Sequence, residues 1–166
     1  MSILKVNEIQ DPSGKIILRN SGSILQVVNA NSVGASTEVS TTSATYVTTG
    51  YSVSITPISA TSKLYVELVG NCKFNHPTEP GDNGVTFKIY RDGVAINTAN
   101  SGDCLFYRSD ASTQNHHAPL ALSHYVNANS TATTTFTLFY NNQWGGTGFY
   151  SPAWGTHQFT VMEIAA

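Results

Sequence analysis

The groups best equipped for chemistry are five histidines, ten acids, two cysteines and a run of aromatic and amide residues near the C-terminal end. His116 and His117 sit in a polar stretch, His124 in a strand-like run, and His76 and His157 stand apart. A metal site could be assembled from His116 or His117 with His124 or Asp110. No ligand spacing supports that site, so loop histidines plus one strand histidine against a sheet face is the preferred reading. No metal and no cofactor is expected. A Ser-His-Asp triad can be written from any serine-rich chain. Here Gly50-Tyr51-Ser52-Val53-Ser54 lacks the second glycine of a nucleophile elbow and lies inside a strand pattern. Paired carboxylates for glycoside hydrolysis would have to come from Glu79, Asp82, Asp103 and Asp110, most of them in turns. Pro80-Gly81-Asp82-Asn83-Gly84 could offer calcium Asp82, Asn83 and Glu79, but it lacks the spaced acids of an EF-hand loop. The chain is not expected to be an enzyme.

The aromatic and amide run carries more weight. Asn141-Asn142-Gln143-Trp144-Gly145-Gly146-Thr147-Gly148-Phe149-Tyr150 continues through Ser151-Pro152-Ala153-Trp154-Gly155 and holds both tryptophans of the protein. Flat rings supply contact area and amides supply direction, a combination suited to a sugar face or a protein contact. Asn141, Asn142, Trp144, Tyr150 and Trp154 are the candidate surface-recognition residues. The competing reading is structural, with a tryptophan capping an open end of the fold and the glycines allowing a turn.

These residues must be positioned by strands. The chain has 166 residues, enough for one domain with an appendage. Charged residues are 11% and the formal charge is -2. That leaves no basic footprint for phosphate, so no nucleic-acid partner is expected. Roughly fifty residues are Ser, Thr or Asn, an excess over average usage that suits strands and turns rather than helix interiors. No run approaches the ~18 apolar residues of a membrane span, so no membrane insertion is expected. Met1–Gln10 has Lys5 and Glu8 among apolar residues without a following apolar block, and is not read as a secretory signal. Cys72 and Cys104 show neither a CxxC pair nor zinc spacing. Free buried thiols are preferred slightly over one disulfide.

No helical period of useful length occurs. Leu64, Val66 and Leu68 point one way within Lys63–Phe74; Val85, Phe87 and Ile89 share a face, as do Phe136, Leu138 and Tyr140. Asp92-Gly93 between alternating runs is the strongest hairpin signal. Further strands fit Tyr46–Thr48, Tyr51–Ile55, Cys104–Tyr107, Leu120–Val126 and Gln158–Ile164. Eight to ten strands beyond Ala44, spaced by roughly ten residues, predict an all-β antiparallel two-sheet sandwich, a jelly roll. The first thirty residues differ. Three short strands separated by Asp11-Pro12-Ser13-Gly14 and Asn20-Ser21-Gly22-Ser23 cannot bury their own apolar faces. They must lie on the main domain or on another molecule. Residues 1–31 are read as an arm whose apolar side chains are Ile3, Leu4, Val6, Ile9, Ile16, Ile17, Leu18, Ile24, Leu25, Val27 and Val28. Residues 32–44, small and polar, are read as a linker, and 45–166 as the head.

The opening Met1-Ser2-Ile3-Leu4-Lys5-Val6-Asn7-Glu8-Ile9-Gln10, with Ser13-Gly14-Lys15-Ile16-Ile17-Leu18 and Gly22-Ser23-Ile24-Leu25-Gln26-Val27-Val28, resembles that of small virion structural proteins of tailed phages, especially those of cyanobacteria and aquatic bacteria. Ala44–Pro57, Ser62-Lys63-Leu64 and Val161-Met162-Glu163-Ile164 resemble the same group. Between about Asn75 and Gly155 the likeness is only general. The resemblance implies a homotrimer with jelly-roll heads similar to complement and tumour-necrosis-factor heads. It also implies a place on the virion surface after synthesis in the host cytoplasm. The arm would fasten to the major capsid protein or another virion component. A capsid decoration (cement) protein is the expectation. The alternative is a tail-fibre or receptor-binding tip whose Trp144 region touches host surface glycan.

Overall fold

In the computed structural model the described residues are 22–31, 38–75, 81–98, 102–110, 116–142, 144, 146–150, 155 and 157–166. They form eleven strands: β1 (Ile24–Asn31), β2 (Val39–Thr41), β3 (Val47–Ile55), β4 (Lys63–Asn75), β5 (Gly81–Arg91), β6 (Val94–Ala95), β7 (Cys104–Asp110), β8 (His116–Asn127), β9 (Thr134–Asn141), β10 (Thr147–Tyr150) and β11 (Gln158–Ile164). No helix occurs among the described residues. The strands make two antiparallel sheets packed as the expected sandwich.

The long strand β4 is the spine of the six-stranded sheet. One edge carries β8 along its length. The other carries β11 from Lys63 to Val69 and β10 from Cys72 to Asn75, with β1 outside β11 and β2 outside β10. Gly70 and Asn71 lie where β11 gives way to β10, and buried His157 fills that junction. Its Nε2 accepts the Asn71 N–H at 3.2 Å. A Cβ at Gly70 would stand 2.5 Å from His157 Nδ1, which is why glycine occupies that position.

The second sheet runs β3-β9-β5, with β7 and β6 sharing the far edge of β5. Alternation sends Leu64, Val66 and Leu68 of β4 inward against Val85, Phe87 and Ile89 of β5 and Phe136, Leu138 and Tyr140 of β9. Each such side chain removed from water contributes about 1.5–3 kcal/mol before ordering costs. Asp92 and Gly93 both take positive φ, 49° and 84°, as a two-residue hairpin of the primed kind requires. The break expected at Gly50 is instead a bulge inside one strand. Pairing jumps from Thr48 to Ser52, with Gly50 at φ 78° and the Thr49 hydroxyl donating to the Leu138 carbonyl at 2.9 Å.

The N-terminal boundary differs from the one expected. Ile24–Asn31 pairs along β11 from Ile164 to Gln158, and Val28 and Ala30 pack on the core, so this part belongs to the sandwich. Its inward side chains find apolar surface within the same chain. The rest of the expected arm, with Ile3, Leu4, Val6, Ile9, Ile16, Ile17 and Leu18, lies outside the described residues. Within the expected linker, Val39–Thr41 pairs with β10 and Val39 packs against the core.

Candidate functional site

Among the five surface-recognition candidates, Trp144 is half-buried, and Trp154 lies outside the described residues. Asn141, Asn142 and Tyr150 are buried, which corrects their reading as surface groups. Asn141 ends β9. Its Nδ2 donates to the Ala44 carbonyl at 2.9 Å, and its Oδ1 accepts the Thr86 hydroxyl. The Asn142 N–H donates to the Ser43 carbonyl at 2.8 Å, and its Oδ1 accepts the Trp144 N–H at 3.1 Å. These amides therefore latch the segment before β3 onto the five-stranded sheet. Asn141 is satisfied through its side chain, whereas Asn142 holds the segment through its main chain and leaves its buried Nδ2 without a hydrogen-bond partner, which costs stability. Tyr150 stacks on Tyr51 at 5.7 Å and meets His157 edge-on at 4.7 Å.

Trp144 rests on the backbone of β5. A Cβ at Gly84 would stand 2.9 Å from Trp144 Cε3 and 2.5 Å from the Phe106 carbonyl oxygen, so the missing side chain makes the seat. Tyr107 of β7 meets Trp144 edge-on, 5.4 Å between centroids, and is 46% exposed. Leu105 of the same strand is also exposed. Sequence reasoning found Trp144 but missed Tyr107, whose signal was its alternate position with Leu105 on a strand. The patch can stack against a flat apolar face, but its neighbouring amides are used inside the fold.

The other candidates scatter. His116 packs on Phe74, His117 is exposed, and His124 Nε2 lies 3.1 Å from Asp103 Oδ2. Burial pushes the Asp103 carboxyl up. His124, the Ile89 N–H and Asn97 outweigh that and hold it below the usual carboxylate range. No group of three or more His, Cys, Asp or Glu side chains stands together for a metal among the described residues. His76 and Glu79, and the side chains of Asp82 and Asp110, fall outside the described set. Cys72 is buried and Cys104 half-buried, both as free thiols. Burial raises both above the usual thiol value, Cys72 the more strongly, so neither is an activated nucleophile.

A polar site that sequence reasoning missed lies under the six-stranded sheet. Glu163 is fully buried and accepts the Ile58 N–H at 2.9 and 2.8 Å, the Ser59 N–H at 3.0 Å and Gln26 Nε2 at 2.6 Å. Burial pushes this carboxyl up, but the donors from Ile58, Gln26 and Ser59 prevail and hold it below its ordinary value. Its signal was parity. Phe159, Val161 and Glu163 alternate, placing an acid on an inward face. The arrangement ties β1, β11 and the turn after β3 together and exposes no reactive group.

No family model and no curated protein matches the chain. Among the solved structures that resemble it weakly are two of one virus. A chain in the structure of the infectious bursal disease virus Gx strain is 14% identical with a TM-score of 0.41, covering 100% of this chain and 42% of that one. A chain in the crystal structure of the T13 infectious bursal disease virus particle is 12% identical with a TM-score of 0.38, covering 99% and 40%. The chain thus spans about two fifths of the length of either.

Proposed function

We propose that the chain is a non-enzymatic structural protein of a phage particle surface, a homotrimeric capsid decoration protein fastened by its leading segment. The observation that carries this reading is the place of β1. It is the first described strand, it lies at a sheet edge, and its Ile24 is 59% exposed. An apolar segment leaving from an edge can add contacts to a neighbouring surface without disturbing the core. Three such segments would hold more tightly than one. The phage resemblance of those same residues supports the assignment.

Because β1 belongs to the sandwich, the informative truncation stops before it. Deleting residues 1–21 should leave thermal stability nearly unchanged and abolish binding to particles that lack the protein. A truncated chain that still coats particles would overturn the attachment role. The exposed Tyr107 beside Trp144 favours one second reading, a receptor-binding tip that stacks on host glycan. Trp144→Ala should lower host adsorption under that reading and leave it unchanged under decoration. Copy number separates the two, with hundreds per particle for decoration and a handful for a tip.

A further inference from the structure

The outer face of the six-stranded sheet carries a pattern that the attachment role does not use. Residues directly opposite in neighbouring strands share a face. Following the pairing across β1, β11, β4 and β8 gives one straight outward row: Val27, Met162, Tyr65 and Tyr125. Tyr125 is 68% exposed and Val27 54%. The two tyrosine rings lie 4.9 Å apart, forming one aromatic ridge. The outward row on one side contains Ile164, Lys63 and Asn127, and the row on the other contains Thr160, Glu67 and Ser123. The central row is apolar apart from its tyrosine hydroxyls, and its flanks carry one positive and one negative charge.

This arrangement complements itself. Consider a second copy laid face to face, with a two-fold axis running along the row and across the strands. Every residue of the row then meets its own counterpart, and the flanking rows exchange. Lys63 sits two positions before Tyr65 and Glu67 two positions after, so Lys63 of each copy faces Glu67 of the other, twice over. Ser123 and Asn127 flank Tyr125 in the same way. We propose that this face is an isologous contact between two copies of the chain, registered by the Tyr65–Tyr125 ridge and by reciprocal Lys63–Glu67 pairs. The footprint, four strands by about seven residues, is roughly 15 Å by 20 Å at ordinary sheet spacings. That is small for a permanent interface, so association should be concentration-dependent.

The inference does not rest on the trimer. A three-fold built on other surfaces would give paired trimers, and in either case the number of copies is even. Sedimentation of the full chain over a range of concentrations should show an even multiple of the chain mass forming reversibly. Lys63→Glu or Glu67→Lys alone should weaken this association by about tenfold or more, and the double exchange should restore it to within about threefold. Tyr125→Ser, at an exposed site, should abolish it while leaving the thermal midpoint of the dilute chain nearly unchanged. An odd or concentration-independent mass would overturn the inference, as would charge reversals without effect or a double exchange that fails to restore pairing. So would protection of Tyr125 by another virion protein but not by the chain itself.

Discussion

On the five-stranded sheet, Thr86 and Lys88 of β5 point away from the core, yet Thr86 is buried and Lys88 only 7% exposed. The chain covers them itself. Tyr46 shares a hydrogen bond with Thr86 at 2.8 Å and lies 4.9 Å below the Lys88 ammonium, while Asn141 and Asn142 hold its segment down. On the six-stranded sheet, Glu38 and Phe149 cover only Lys73 at the far end of β4, and around the central row Tyr125 and Val69 stand open. The middle of one outer face, over Thr86 and Lys88, is covered by the chain's own segment with Leu105 and Tyr107 exposed beside it, while the other has its apolar row facing solvent. Closing a face inside the chain uses local hydrogen bonds. A patterned apolar face left open is the kind of surface that the proposed second copy would cover.

The comparison can be broken first at its base. Glu163 anchors β1 and β11, which carry half of the open row, so Glu163→Ala would strand the Ile58 and Ser59 N–H groups. A loss of about 3–5 kcal/mol should appear in chemical denaturation. Because the Glu163 carboxyl is held below its unfolded value, its stabilisation is complete above about pH 4.3 and fades as pH falls through the lowered value. Glu163→Gln should flatten that acid limb in a pH series, with Asp103 and Asp92, also lowered, supplying what remains.

The closed face comes next. Gly84→Ala forces a shift against the Phe106 carbonyl and the Trp144 ring. It should cost about 2–3 kcal/mol, visible together with a change in tryptophan fluorescence. Tyr46→Ala uncovers Thr86 and Lys88 and should cost about 2 kcal/mol by the same denaturation measurement. Tyr125→Ser on the open face should shift stability by no more than about 0.5 kcal/mol at high dilution. If Tyr46 and Tyr125 truncations cost the same, the distinction between the faces fails.

Much of this architecture was legible in the residues. Alternation marked β4, β5, β9 and β11, and Asp92-Gly93 marked its hairpin, because both signals are local. What escaped depended on distant partners. Val39–Thr41 and Thr147–Tyr150 sit among small or glycine residues and become strands only because β4 and β10 offer edges to pair with. Asn141 and Asn142, beside glycines, resemble surface amides. Their carbonyl partners lie near residue 44, a long-range pairing that spacing does not encode. The row Val27, Met162, Tyr65 and Tyr125 spans most of the chain and exists only once strand register is known. The same holds for the arm. Its apolar alternation was plain, but which surface would take residues 24–31 was decided by the free edge of β11.

Tyrosine footprinting by radical labelling of the full chain, from dilute to concentrated solution, tests the contrast between the faces most directly. Tyr125 should label readily when dilute and become protected as concentration rises, while Tyr46 stays weakly reactive throughout. A Tyr125 that labels equally at every concentration would show that the open face receives no second copy, contradicting the account.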